Sequence, residues 1–158
     1  MRKEQIAPKT ELHISPDLNW LDLVRIARVE FTSEDPARPI ESALDDSAGG
    51  SGWRALAPGP QTIRLLFDAP LQIRRIKLVF QEDEQHRTQE FVLRWSLDNG
   101  SSYREIVRQQ YNFSHPESCR ETENYAVDLV GVTAMELIIV PNIGGGDVRA
   151  SLAQLRLA

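Results

Sequence analysis

QTIRLLFDAPLQIRRIKLVF, residues 61–80, decides the fold. Ile63, Leu65 and Phe67 alternate with Arg64, Leu66 and Asp68, and Ile76, Leu78 and Phe80 alternate with Arg75, Lys77 and Val79. A period of two sends successive side chains to opposite faces, so each run reads as an antiparallel strand with one face on a core. Asp68-Ala69-Pro70 between them carries turn chemistry, because an Asx side chain bonds its own backbone.

The alternation continues outward in both directions. Phe91, Leu93 and Trp95 share one parity, as do Tyr125, Val127 and Leu129, then Met135, Leu137 and Ile139, and Leu155 with Leu157. Ala27, Val29 and Phe31 begin the series. Eight strands are expected, at 25–31, 61–68, 73–80, 89–97, 103–107, 125–130, 134–140 and 152–158. The connections 32–60, 81–88, 108–124 and 141–151 are long, whereas 69–72, 98–102 and 131–133 are short. The two kinds alternate, so an up-and-down antiparallel path gathers the long loops at one end. Long loops on a rigid scaffold are where function concentrates. The fold class expected is all-β, an antiparallel jelly-roll β-sandwich of about eight strands.

Composition bounds the function. A chain of 158 residues with a net charge of −5 suits one domain and lacks the basic footprint of a general nucleic-acid binder. No apolar run reaches the length of a membrane span. Cys119 is the single cysteine, which rules out an intrachain disulfide and points to a reducing compartment. MRKEQIAPKTELHISP at the start has no continuous apolar stretch, so no signal peptide is expected and a cytoplasmic location follows. Ser15-Pro16-Asp17 reads as a helix start. Residues 1–26 are taken as an extension with a short helix, and 27–158 as the sandwich.

Four segments carry a family resemblance. They are Ala43-Leu44-Asp45-Asp46 with Ser51-Gly52-Trp53, Gln61 to Leu78, Phe91 to Tyr103 with its Asp98-Asn99-Gly100 turn, and Ala150 to Leu157. In order and spacing they resemble the discoidin, or coagulation factor V/VIII C-type, domain family. The resemblance implies a galactose-binding-like jelly roll that binds rather than catalyses, with carbohydrate among its usual ligands. It also implies a structural calcium in many members. Asp45 matches the first ligand of that ion, whereas Ser47 and Gln154 stand where carboxylates are common. Asp45, Asp46, Ser51 and Gln154 could then hold calcium only weakly, because carboxylates set the affinity. The resemblance further implies that Trp53 packs under its loop as core.

The loop-rich end supplies the ligand-binding candidates. Tyr111, Asn112, Phe113 and His115 offer aromatic faces and planar polar groups, the two kinds of contact a sugar ring needs. Tyr111 and Phe113 could equally tuck back as anchors of a long loop. His86 and Arg87 lie at the same end, as do Asn142 and Arg149, which flank a triple glycine. Arg64, Arg75, Lys77 and Arg94 have outward parity; they could form a basic stripe, or pair with cross-strand acids such as Glu90 or Glu136. Three dispersed histidines and one thiol give catalysis little support. The expectation is a non-catalytic carbohydrate-binding module with no required cofactor. The alternative is an intracellular protein-interaction domain on the same fold.

Overall fold

The computed structural model describes residues 20–45 and 52–158. Among them are two four-residue helices, α1 (Leu23–Ile26) and α2 (Glu41–Leu44). The strands are β1 (Ala27–Phe31), β2 (Trp53–Arg54), β3 (Gln61–Gln81) and β4 (Arg87–Ser96). They continue as β5 (Arg104–Phe113), β6 (Arg120–Val140), β7 (Ser151–Leu152) and β8 (Gln154–Leu157). The helix expected at Ser15 lies outside the described residues. No described helix is long and apolar enough to cross a membrane.

Every strand pair is antiparallel. One sheet runs β1-β3-β6-β4-β5, with β8 also on β3, and β2 and β7 form a separate two-stranded sheet. β3 and β6 are each 21 residues long and bend where their register shifts, between Leu66 and Arg75 of β3. Their halves therefore serve two layers. Gln61–Leu66 lies between β1 and the Ala134–Ile139 half of β6, and Ile76–Val79 lies between β8 and the Thr122–Tyr125 part of β6. The expected turns at 69–72 and 131–133 are thus bends within continuous strands, not hairpins. A β-bulge adds residues to one strand only and bends it without ending the ladder. Gly131, at φ +77, sits at the β6 bend, where a side chain is disfavoured.

The alternation places the core between the layers. Ile63, Leu65, Ile76, Leu78 and Phe80 are all buried, and the Phe80 ring lies 5.1 Å from that of Phe91 on β4. Each such side chain contributes about 1.5–3 kcal/mol on burial. Trp53 is buried as expected, and its indole N–H donates to the Ser33 carbonyl at 3.1 Å. Leu23 joins the same core, and the Leu21 N–H donates to the Leu157 carbonyl at 2.8 Å, so packing reaches N-terminal of Ala27.

The expected loop 108–124 is mostly strand. β5 runs on to Phe113 and β6 starts at Arg120, leaving 114–119 between them. The period of two is present there in polar guise. Gln109, Tyr111 and Phe113 turn inward while Arg108, Gln110 and Asn112 are exposed.

The basic stripe divides between layers. Arg64 and Arg94 converge on the buried carboxylate of Glu136, with Arg64 also 3.1 Å from Glu30, and Arg75 lies 4.5 Å over the Trp20 ring. Cross-strand pairing with acids describes this face.

Candidate functional site

The remaining long connections meet at one end. The Glu82 N–H donates to the Cys119 carbonyl at 2.8 Å, joining 82–86 to 114–119. The Gly59 N–H reaches the Val148 carbonyl at 3.0 Å and the Ala55 N–H the Ala150 carbonyl at 2.9 Å, joining 55–60 to 141–150. At the opposite end, the β4–β5 hairpin turn touches the β6 bend, where the Asn99 N–H donates to Thr133 Oγ1 at 2.8 Å.

A buried ion pair organises the loop end. Arg87 Nε donates to Glu82 Oε1 at 2.7 Å, and both side chains are at least 97% buried. Arg87 also donates to the Pro141 carbonyl at 2.9 Å and lies 4.7 Å over the Phe113 ring. Glu82 Oε2 accepts the Glu84 and Gln85 N–H groups at 2.9 and 3.1 Å, folding the tight loop. Burial pushes the Glu82 carboxyl up, but Arg87 and those two N–H groups together hold it below its ordinary value. Two of the expected ligand contacts are therefore corrected. Arg87 and Phe113 lie in the interior and carry the loops, because the guanidinium finds its acid, carbonyl and ring partners inside. Tyr111 is half-buried, edge-on to Phe113 at 4.9 Å, and its hydroxyl donates to the Arg120 carbonyl at 3.0 Å. It serves as an anchor of the loop end.

The other expected residues are exposed or half-buried. His86 and His115 are exposed, with His86 Nε2 3.1 Å from the His115 carbonyl oxygen. The Thr88 hydroxyl donates to Asn112 Oδ1 at 3.0 Å, while the Thr88 N–H donates to Asn142 Oδ1 at 3.2 Å. Asn142 Nδ2 donates to the Gly145 carbonyl at 3.0 Å, so that amide ties its own loop to β4. Arg149 is half-buried on the 141–150 loop.

Sequence reading missed the main concavity. A cleft of about 340 Å³ opens beside the 82–86 loop, lined by Arg38, Arg54, Gln81, Glu82, Asp83, Glu84, Arg120, Ala153 and Gln154. Among the described residues its wall is made of guanidinium, carboxylate and amide groups, with Ala153 the sole apolar side chain and no aromatic ring. Glu82 is already held by Arg87, and Arg120 donates to Gln81 Oε1 at 2.9 Å. Planar donors and acceptors side by side can take vicinal hydroxyls in pairs. Of its residues only Gln154 stood out in the sequence, as a calcium candidate, and the arginines come from distant segments.

A polar chain lies inside the sandwich behind this end. The Tyr125 hydroxyl donates to Gln109 Oε1 at 2.6 Å, and Gln109 Nε2 donates to Glu123 Oε2 at 2.6 Å. Gln89 Nε2 donates to Glu121 Oε1 at 3.2 Å, and Gln89 Oε1 accepts from Arg87 at 3.2 Å. Glu121 Oε2 is buried with no hydrogen-bond partner. Burial and the neighbouring Glu123 carboxylate push the Glu121 carboxyl up to about 8. Protonated, Glu121 supplies the donor that two adjacent carboxylates lack.

Of the residues expected to hold calcium, Asp45 and Gln154 are described. Asp46 and Ser51 lie outside the described residues. Calcium takes six to eight oxygens with carboxylates among them. Gln154 is a neutral amide on the cleft wall, and the carbonyl of Ala43, near Asp45, accepts the Arg156 guanidinium at 2.7 Å.

No family model and no curated protein matches the chain. Solved structures do. The CBM32-5 module of CpGH89 from Clostridium perfringens, in complex with GalNAc-beta-1,3-galactose, superposes with a TM-score of 0.60 at 19% identity, covering 87% of this chain and 98% of that one. The C-terminal domain of a chitobiase from Bacteroides fragilis gives 0.63 at 17% identity over 89% and 97%. A pectin-binding carbohydrate-binding module gives 0.61 at 15% identity over 84% and 90%. The likeness is one of fold, and it shows that this chain has the all-β, galactose-binding-like sandwich of carbohydrate-binding modules.

Proposed function

We propose that this domain is a non-catalytic glycan-binding module whose ligand sits in the polar cleft at the loop-rich end. The carrying observation is the cleft itself: about 340 Å³ of space walled by Arg38, Arg54, Arg120, Gln81 and Gln154 with Asp83 and Glu84. Guanidinium and amide donors beside carboxylate acceptors suit the hydroxyl pairs of a sugar. The polar side chains that the described wall presents suit recognition by hydrogen bonds more than by stacking. The exposed His86 and His115 border the same loop and extend the surface for a longer chain. Glu82, the most buried acid of the wall, is tied to Arg87 and held in its ionised form, so it has no proton to give as a general acid. Modules of the same fold bind a galactose-containing disaccharide and pectin, as their structures are described, and this supports the ligand class.

A glycan-array screen of the purified protein, followed by titration calorimetry on the best ligand, tests the reading. Binding to a coherent group of sugars, weakened by alanine at Arg54 or Gln154, is the expected result. A blank array, or affinity indifferent to both substitutions, would sink the cleft assignment.

A further inference from the structure

Arg54 is an unmatched charge on the cleft wall. It alternates on β2 with the buried Trp53, so its side chain leaves the core for the cleft, where it is half-buried. Among the described residues its guanidinium has no hydrogen-bond or ion-pair partner. The most buried acid of the wall is already taken. Glu82 accepts Arg87 at one oxygen and the Glu84 and Gln85 N–H groups at the other. Burial pushes the Arg87 guanidinium down from its ordinary value, Glu82 pushes it up, and the like charge of Arg54 pushes it down again. Arg54 therefore lies close enough to act on Arg87, and two guanidinium groups stand against the one carboxylate of Glu82. Glu121, behind Gln89, holds its proton up to about 8 and adds no charge below that.

A second guanidinium of the wall, that of Arg120, is exposed. It donates to the neutral Gln81 amide oxygen at 2.9 Å and pairs with no carboxylate among the described residues. Asp83 and Glu84 carry the opposing charge. Both are exposed on the 82–86 loop, and Asp83 Oδ1 already accepts Gln81 Nε2 at 3.0 Å. Water screens an exposed carboxylate, whereas a half-buried guanidinium keeps more of its field. The less exposed part of the wall is therefore positive. A sugar hydroxyl would leave that charge unmatched, but a carboxylate takes two parallel N–H bonds from one guanidinium.

We infer that the glycan of this cleft carries a carboxylate, as a hexuronic acid does, and that Arg54 receives it, with Arg120 as a second donor. The inference rests on the glycan reading of the cleft and narrows it to acidic sugars.

The test is titration calorimetry of the full chain with galacturonate and glucuronate trimers and with their methyl esters, which keep the shape and lose the charge. One acid is expected to bind about tenfold or more tighter than its ester, and the advantage to shrink as salt is added. R54M is expected to abolish the preference without lowering the melting midpoint. R54K is expected to retain part of it, because it keeps the charge without the fork. Equal affinity for acid and ester, a preference that survives R54M, or binding of neither acid would each overturn the inference. Array hits confined to neutral glycans would overturn it alone, whereas a blank array would overturn the glycan reading with it. A sulfated galactose trimer bound more tightly than either acid would overturn the carboxylate. Should R54M fail to fold, the comparison of acid with ester on the wild type still decides it.

Discussion

Arg87 and Glu82, five residues apart across the β3–β4 connection, form an ion pair 2.7 Å long that is closed to solvent. The same guanidinium touches the Pro141 carbonyl and the Phe113 ring, so one side chain ties three of the loops together. Removing one partner leaves the other buried and uncompensated. R87A or E82A is therefore expected to destabilise the domain by about 3–5 kcal/mol, measured by urea unfolding. A double replacement by apolar residues of similar volume is expected to restore much of the loss. A single-variant loss below 1 kcal/mol, roughly the worth of a surface pair, would show that the pair is unimportant.

Gly52 has φ +92, and a Cβ there would meet the Leu152 carbonyl oxygen at 2.5 Å and the Ala153 Cα at 2.7 Å. Both are backbone atoms of the β7–β8 corner and cannot swing aside. Gly145 has φ +82 with nothing within 4 Å. G145A is expected to lose about 1 kcal/mol from backbone strain. G52A adds a steric clash and is expected to lose at least twice as much. Equal losses in thermal melts of the two variants would show that the close approach is relieved elsewhere.

Glu121 supplies a pH signature. Its folded carboxyl keeps a proton until about 8, against an ordinary 4.5. Between those values the unfolded chain is ionised and the folded chain is not, so the folded state binds the extra proton. The contribution to stability is complete below 4.5, falls as pH rises, and is gone by about 8. E121Q keeps a donor toward Glu123 without a titrating proton. The wild-type midpoint is expected to decline across this window, and the E121Q midpoint to decline less. Parallel profiles would remove Glu121 as the cause.

For the cleft, the contrast between wall and scaffold is the informative measurement. A hydrogen bond to a charged group contributes about 1.5–3 kcal/mol, so R54A is expected to weaken glycan binding about tenfold or more with little change in melting. R87A is expected to reduce binding only as far as it unfolds the loops. If binding followed melting in both variants, the cleft wall would have no direct contact role.

The strands were legible because their signal is local. Ile63, Leu65 and Phe67, or Phe91 and Leu93, declare their faces by a period of two that needs no partner. The alternation of long and short connections likewise located the loop end, and the Ser51-Gly52-Trp53 motif marked Trp53 as core. Polar residues hid the same period in Gln109, Tyr111 and Phe113, so the adjoining ends of two strands read as a loop. Asp68-Ala69-Pro70 reads as a turn in isolation, yet the residues around it stay paired to β6 and turn the segment into a bend. Arg87 read as a ligand contact because arginine is usually exposed. Its burial depends on Glu82, Pro141 and Phe113 arriving together, the second from 54 residues away. Arg156 meets Ala43 across 113 residues. Face and strand identity follow from neighbours along the chain, so the sequence by itself determined them. Which charges become buried, and where the cleft opens, depends on groups brought from remote segments, so only the tertiary structure decided them.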